Sequence, residues 1–284
     1  MDSGFALKYD GLDTRNHVIE MRRFGEALIG TDKVVNFGLV ALLEYRMPKR
    51  GERFPLVIKA KEPKEGSVEL VAFVQPVVAS ILPLVPEIIY NGAGEIIWRW
   101  ISWVLNMTGG REKEAGPHFK ALMTLTKEIH RGHLESEDKT RDFMLEVLDR
   151  VKPGAKGMVA PIGMSADELI IRGSENETTE FKTLIDVPMA NAIRSKDKLI
   201  VGDMEKMDVK VDGLIHHNKQ LKIEHPDIPG KYITAIVKDP MFEESDNVYT
   251  KAVATKGTLE ISVKPSRKVD GTLHALYIMD AISK

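Results

Sequence analysis

Between Leu70 and Met107 the chain carries three charged side chains, Glu87, Glu95 and Arg99, together with all three of its tryptophans, Trp98, Trp100 and Trp103. A run this apolar has to be covered by its own domain, by another copy or by lipid, and that need constrains the fold more than any other feature. Leu70–Pro86 has no charge over 17 residues, near the lower limit for a membrane span. Pro76, Pro83, Pro86 and Gln75 disfavour a lipid-exposed helix there. Glu95 and Arg99, at i,i+4 with the acid first, form a favourable helical pair in water and an expensive one in a bilayer. Asn91-Gly92-Ala93-Gly94 reads as a turn, so the expected form is an apolar helical hairpin over 70–107. Its arms are Ala72–Tyr90 and Glu95–Met107, stopped by Thr108-Gly109-Gly110. Three roles compete for it: a core helix pair, an oligomer interface, and a membrane-insertion element kept covered until triggered.

The flanks are easier to read. Phe5–Tyr9 reads as a strand ended by Asp10-Gly11-Leu12-Asp13. Two helical stretches follow, parted at Gly30-Thr31-Asp32, where Thr31 or Asp32 would cap the second. Pro48–Phe54, with Lys49, Arg50 and Arg53, reads as an exposed loop, and Leu56–Ala60 and Ser67–Val71 as strands. Beyond the hairpin, amphipathic helices are expected over Pro117–His130 and Ser136–Val151, the second ended by Pro153-Gly154.

From Gly157 the periodicity changes from helical to twofold. Leu169–Ile171, Met207–Val211, Leu221–Ile223, Tyr232–Val237, Leu259–Val263 and Leu273–Met279 alternate, with Asp212-Gly213, Pro229-Gly230 and Asp270-Gly271 between some of them. Asp186–Arg194 reads as a lone helix. The expected fold class is therefore α+β. A mixed α/β N-terminal unit over 1–151 holds the apolar hairpin, and a mainly antiparallel β unit over 157–284 is a possible small barrel. The boundary is expected at Lys152–Lys156.

Chemistry-bearing motifs are sparse. The chain has no cysteine, which excludes disulfides, thiolate zinc sites, iron–sulfur clusters and a cysteine nucleophile. His130-Arg131-Gly132-His133, with Glu128 and His118, offers imidazoles but not the His-Glu-x-x-His order of a zinc helix. His216, His217 and His225 are the better metal candidates, with Asp208 or Asp212 nearby in sequence. Adjacent strand residues point to opposite faces, so only one of His216 and His217 could join His225. Gly163-Met164-Ser165-Ala166-Asp167 lacks the final glycine of a nucleophile elbow, and Ser165 reads as a loop or capping residue. No phosphate loop is present, and Gly92-Ala93-Gly94-Glu95 is only a fragment of a dinucleotide fingerprint.

Forty lysines and arginines against 42 aspartates and glutamates leave a net charge of −2. From Glu205 to the end the balance is 12 against 12. Basic clusters exist at Lys264, Arg267 and Lys268, yet no stripe of positive charge runs along the β unit, so nucleic acid is a disfavoured partner.

The expected function is a non-enzymatic binding and assembly protein. It would form a homo-oligomer through its apolar N-terminal half, with Trp98, Trp100, Trp103, Glu95 and Arg99 at the contact. Its β domain would face a further protein partner. No cofactor is implied. The alternatives are a membrane-active effector that inserts 70–107, a metal-dependent hydrolase built on His216 or His217 with His225, and a single-strand nucleic-acid binder. The opening Met-Asp-Ser-Gly-Phe lacks the basic and apolar regions of a secretory leader, so a cytoplasmic location is expected.

Overall fold

Strand β1, Gly4–Asp10, is the middle strand of a five-stranded antiparallel sheet, and its side chains explain why. Phe5, Leu7 and Tyr9 point to one face and are all fully buried. In the computed structural model, which describes residues 4–49, 51–52, 56–60, 68–76, 85–130, 136–173 and 182–283, β1 pairs on one side with β3, Val68–Pro76. On the other side it pairs with β4, Glu168–Arg172. The outer strands are β2, Leu56–Ala60, and β5, Lys182–Asp186, giving the order β2-β3-β1-β4-β5. Among the described residues the unit also holds five α-helices: α1 Met21–Glu44, α2 Val85–Thr108, α3 Glu112–Ile129, α4 Glu137–Met158 and α5 Val187–Arg194.

The apolar run is not a hairpin. Its first part is strand β3, next to the central strand, and its second part is α2, a single helix that passes straight through Asn91-Gly92-Ala93-Gly94. The cause lies at Gly94. A Cβ there would stand 2.1 Å from the carbonyl oxygen of Gly4 and 2.4 Å from that of Gly173, so the glycine lets α2 touch the sheet backbone. From Ile97 to Asn106 only Arg99 is left partly exposed, because α2 is packed by α1, α3, α4, α5 and the sheet together. A helix apolar on all sides belongs in such a position. It ends where expected, with Gly110 in the left-handed region at φ 74°. Pro83 and the other residues of 77–84 lie outside the described residues. Among the described residues no helix is long and apolar enough to cross a membrane.

Two other expected breaks also close. α1 runs unbroken through Gly30-Thr31-Asp32, with Thr31 Oγ1 donating back to Ala27 O at 2.8 Å rather than capping. α4 continues past Pro153-Gly154 to Met158. The chain divides into two compact units, 1–194 and 195–284. The expected boundary at Lys152–Lys156 falls inside α4, because β4, β5 and α5 belong to the first unit's sheet and helical layer.

The second unit is β6 Leu199–Val201, β7 Glu205–Ile215, β8 Gln220–Glu224, β9 Tyr232–Val237, α6 Val248–Thr255, β10 Thr258–Lys268 and β11 Leu273–Ser283. Its strand order is β11-β9-β8-β7-β10, and β10 pairs back onto β11, so five strands close into a barrel. Only β9–β11 is parallel. β10 shifts register against β11 at Ser262/Val263 and at Ser266/Arg267, irregularities of the kind that bend a strand around a small barrel. Val209, Val211, Leu221, Ile223, Leu259, Ile261 and Ile278 fill the interior, with Phe242 and Tyr249. A five-stranded Greek-key barrel with a helix between its third and fourth strands has the connectivity of the OB-fold.

Candidate functional site

The three tryptophans lie inside the first unit, none more than 6% exposed. The Trp100 indole N–H donates to Val34 O of α1 at 2.8 Å, and its ring lies 5.2 Å from that of Trp103. Trp103 stacks on Phe119 of α3. Trp98 meets His118 of α3 edge-on at 4.8 Å and carries the Arg99 guanidinium 5.3 Å from its ring centre. Arg99 Nη2 in turn reaches Glu95 Oε1 at 2.7 Å. The trio is therefore the core that joins α2 to α1 and α3, not a surface offered to another copy. Glu95 and Arg99 do reach the surface. With Lys120 and Glu128 they line a groove of about 600 Å³ between α2 and α3, whose charges balance. Burial, and after it the charge of Arg99, lowers the pKa of the His118 imidazole from its ordinary value.

The histidines do not converge. His216 and His217 sit in a 3-10 turn before β8, and His225 follows that strand. Five extended residues separate the two ends by about 16 Å. His216 stacks on Phe242, and the His225 Nδ1 accepts the Asp227 N–H at 3.0 Å. Asp212 is ion-paired with Lys222. His118 and His130 are a dozen residues apart on and just beyond α3, about 18 Å along its axis. His133 lies outside the described residues, as do Arg50 and Arg53. Among the described residues no three His, Asp or Glu side chains are placed to hold a metal ion. Ser165 is tied into the fold: its Oγ accepts the Glu20 N–H at 3.1 Å, just ahead of α1.

The outward face of β7, β8 and β9 is polar, with exposed apolar side chains, Tyr232 and Ile228, towards the end that carries the β8–β9 loop. Alternation puts Leu221, Ile223, Ala235 and Val237 into the barrel and leaves Lys222, Tyr232 and Thr234 outside. Lys222 stands opposite Thr234, and Glu224 opposite Tyr232. The Lys222 ammonium lies 5.4 Å from the centre of the Tyr232 ring, which is 45% exposed. Glu224 accepts the Gly230 N–H at 2.8 Å and lies 3.7 Å from Lys210. At one end Arg267 Nη1 donates to Asp227 Oδ2 at 2.6 Å and to Gly271 O at 3.2 Å, which ties the β8–β9 loop to the β10–β11 turn. Each of those loops carries an exposed apolar side chain, Ile228 and Val269. Strands two and three with the last hairpin loop are the surfaces that OB-folds use for ligands.

Two family profiles match the chain. Domain of unknown function (DUF7946) matches residues 5–194, more than half of the sequence, and Family of unknown function (DUF7947) matches residues 203–282. The chain belongs to the DUF7946 family. No curated protein matches it. The DUF7946 block ends at Arg194, where the first compact unit ends, and the DUF7947 block covers the barrel strands from β7 to all but the last residue of β11. The tryptophan core, Glu95 and Arg99 thus lie within the DUF7946 block, while Tyr232, Lys222, Ile228 and Val269 lie in the other. Sequence reasoning missed this second group as a site. Its only signal was the alternation of Tyr232–Val237, because loop residues such as Ile228 and Val269 acquire meaning only when closure brings strand ends together.

Proposed function

We propose that this chain is a non-enzymatic binding protein whose C-terminal barrel presents the β7-β8-β9 face to a protein partner. The observation that carries this is the combination of exposed Tyr232, Ile228 and Val269 with a surface on which most of the cations are paired with carboxylates. Lys206, Lys210, Lys222, Arg267 and Lys268 each lie within 4 Å of a carboxylate of the same unit. A face with no surplus of positive charge gains little from phosphates, whereas exposed aromatic and aliphatic side chains beside a polar face suit a protein surface. Self-association through 70–107 is no longer part of the proposal, since the tryptophans that suggested it are used up in the core. Co-purification from the native cell tests the reading. A partner retained stoichiometrically by the intact chain is expected to be lost on Tyr232→Ala or Ile228→Asp. Retention unaffected by both substitutions would contradict it.

A second reading, single-strand nucleic-acid binding, draws support from the OB connectivity and from a tyrosine beside a lysine, a usable stacking platform. It requires salt-sensitive retention on a mixed-sequence oligonucleotide that Tyr232→Ala weakens. The protein-partner proposal expects weak retention, indifferent to that substitution.

A further inference from the structure

Helices α1 and α4 cross with their backbones in contact. A Cβ on Gly30 would come 2.4 Å from Gly154 O, and one on Gly157 would come 2.8 Å from Glu26 O. Bare backbone at the crossing leaves an open groove of about 570 Å³ beside it, with Ile29 and Met164 among its lining. Its apolar character continues along α1. Met21 and Ile29 are two turns apart on one helix face and are 88% and 73% exposed. Charge is uneven here. Among the described lining residues Arg23, Lys33, Lys156 and Arg194 stand against one carboxylate, Glu26. Arg23 is ion-paired with Glu26 at 3.3 Å and with Glu20, just outside the lining, at 3.8 Å, so the groove stays net positive after those pairs, in contrast to the balanced α2–α3 groove. Arg194 is held in place, its Nη2 donating to Val159 O at 3.2 Å while its own carbonyl accepts Lys156 Nζ at 3.2 Å.

We propose that this groove docks an acidic segment of a partner protein through apolar anchor side chains. An apolar floor between two helices takes an inserted side chain, and a cationic rim selects carboxylates flanking it. Two-fold pairing of a second copy across the same patch would set its cations against each other, which disfavours self-docking. A concave site of this size is shaped for side chains rather than for a flat lipid surface. The proposal is independent of the barrel face, which lies in the other unit.

A random peptide-display library selected on the full chain tests it, with Ile29→Asp/Lys33→Glu selected in parallel. The expected winners are rich in Asp and Glu, with Leu, Ile, Phe or Met at helical spacing. They should bind the double variant at least about tenfold more weakly, a loss that shrinks as salt is raised. Tyr232→Ala should leave their binding unchanged. Winners that are basic or uncharged, winners that bind the double variant equally well, or no winners at all would overturn the proposal. So would flotation with phosphatidylcholine–phosphatidylglycerol vesicles, or concentration-dependent self-association, that the same double variant abolishes. Lys33→Gln, a milder change at a half-buried helical position, preserves the comparison if the double variant does not fold, with a smaller loss expected.

Discussion

Two glycines on α1 face opposite surroundings and should respond in opposite ways. A Cβ on Gly38 would stand 2.2 Å from the Trp100 indole, whereas one on Gly25 would meet no atom within 4 Å. Gly38→Ala must displace the indole that bonds Val34 O and is expected to cost about 1–3 kcal/mol in urea unfolding. Gly25→Ala removes only the flexibility of a helical glycine and is expected to add about 0.5–1 kcal/mol. Equal effects of the two would remove Trp100 from the α1 contact. Glu168 offers a pH-dependent counterpart. Burial raises its pKa above the usual carboxylate range, and Asp10, Asp167 and Asp186 add to the shift while Lys182 opposes it. Asp10 and Asp186 stand directly across from it on the neighbouring strands. A carboxyl that holds its proton more tightly when folded favours the fold at low pH and disfavours it as pH rises through its folded value. Glu168→Gln should therefore stabilise the chain above the carboxylate range and lose that advantage in acid. A Tm unchanged by the substitution at pH 7 would contradict this.

At the scale of elements, what the sequence misled on has one physical origin. Gly30, Gly94 and Gly154 all read as turn or stop signals, and all three are places where one backbone touches another inside a continuous helix. A lone sequence does not distinguish a glycine that bends a chain from one that admits a neighbour, because the neighbour is distant in sequence. Short apolar runs rich in β-branched residues were legible: Leu56–Ala60 and Tyr232–Val237 have the bounds read from the sequence. Lys182–Asp186 was not, since half its inward positions are polar, with Thr183 hydroxyl-bonded to Ser102 at 2.6 Å. Gly94→Ala is expected to cost about as much as Gly38→Ala, because a Cβ there meets two sheet carbonyls. Native-state hydrogen exchange should find 95–108 among the slowest amides, with no weak point at 91–94. Fast exchange there would restore the turn.

For the whole molecule, each of the two family blocks falls within one of the two compact units, and each unit has its own core. The candidate site was only partly legible for the same reason. The histidines and tryptophans stand out as residue types, but the tryptophans are interior and the histidines diverge. The barrel face exists only after five strands close. The central claim is that the tryptophan-bearing segment is the first unit's own core, which leaves binding to surfaces elsewhere. Because every tryptophan lies in α2, iodide quenching of native tryptophan fluorescence across a dilution series reads that claim directly. Weak quenching, equal at every protein concentration and rising only on denaturation, is the predicted result. Quenching that is strong in dilute solution and fades as chains associate would mean the segment is an interface, and would contradict the account.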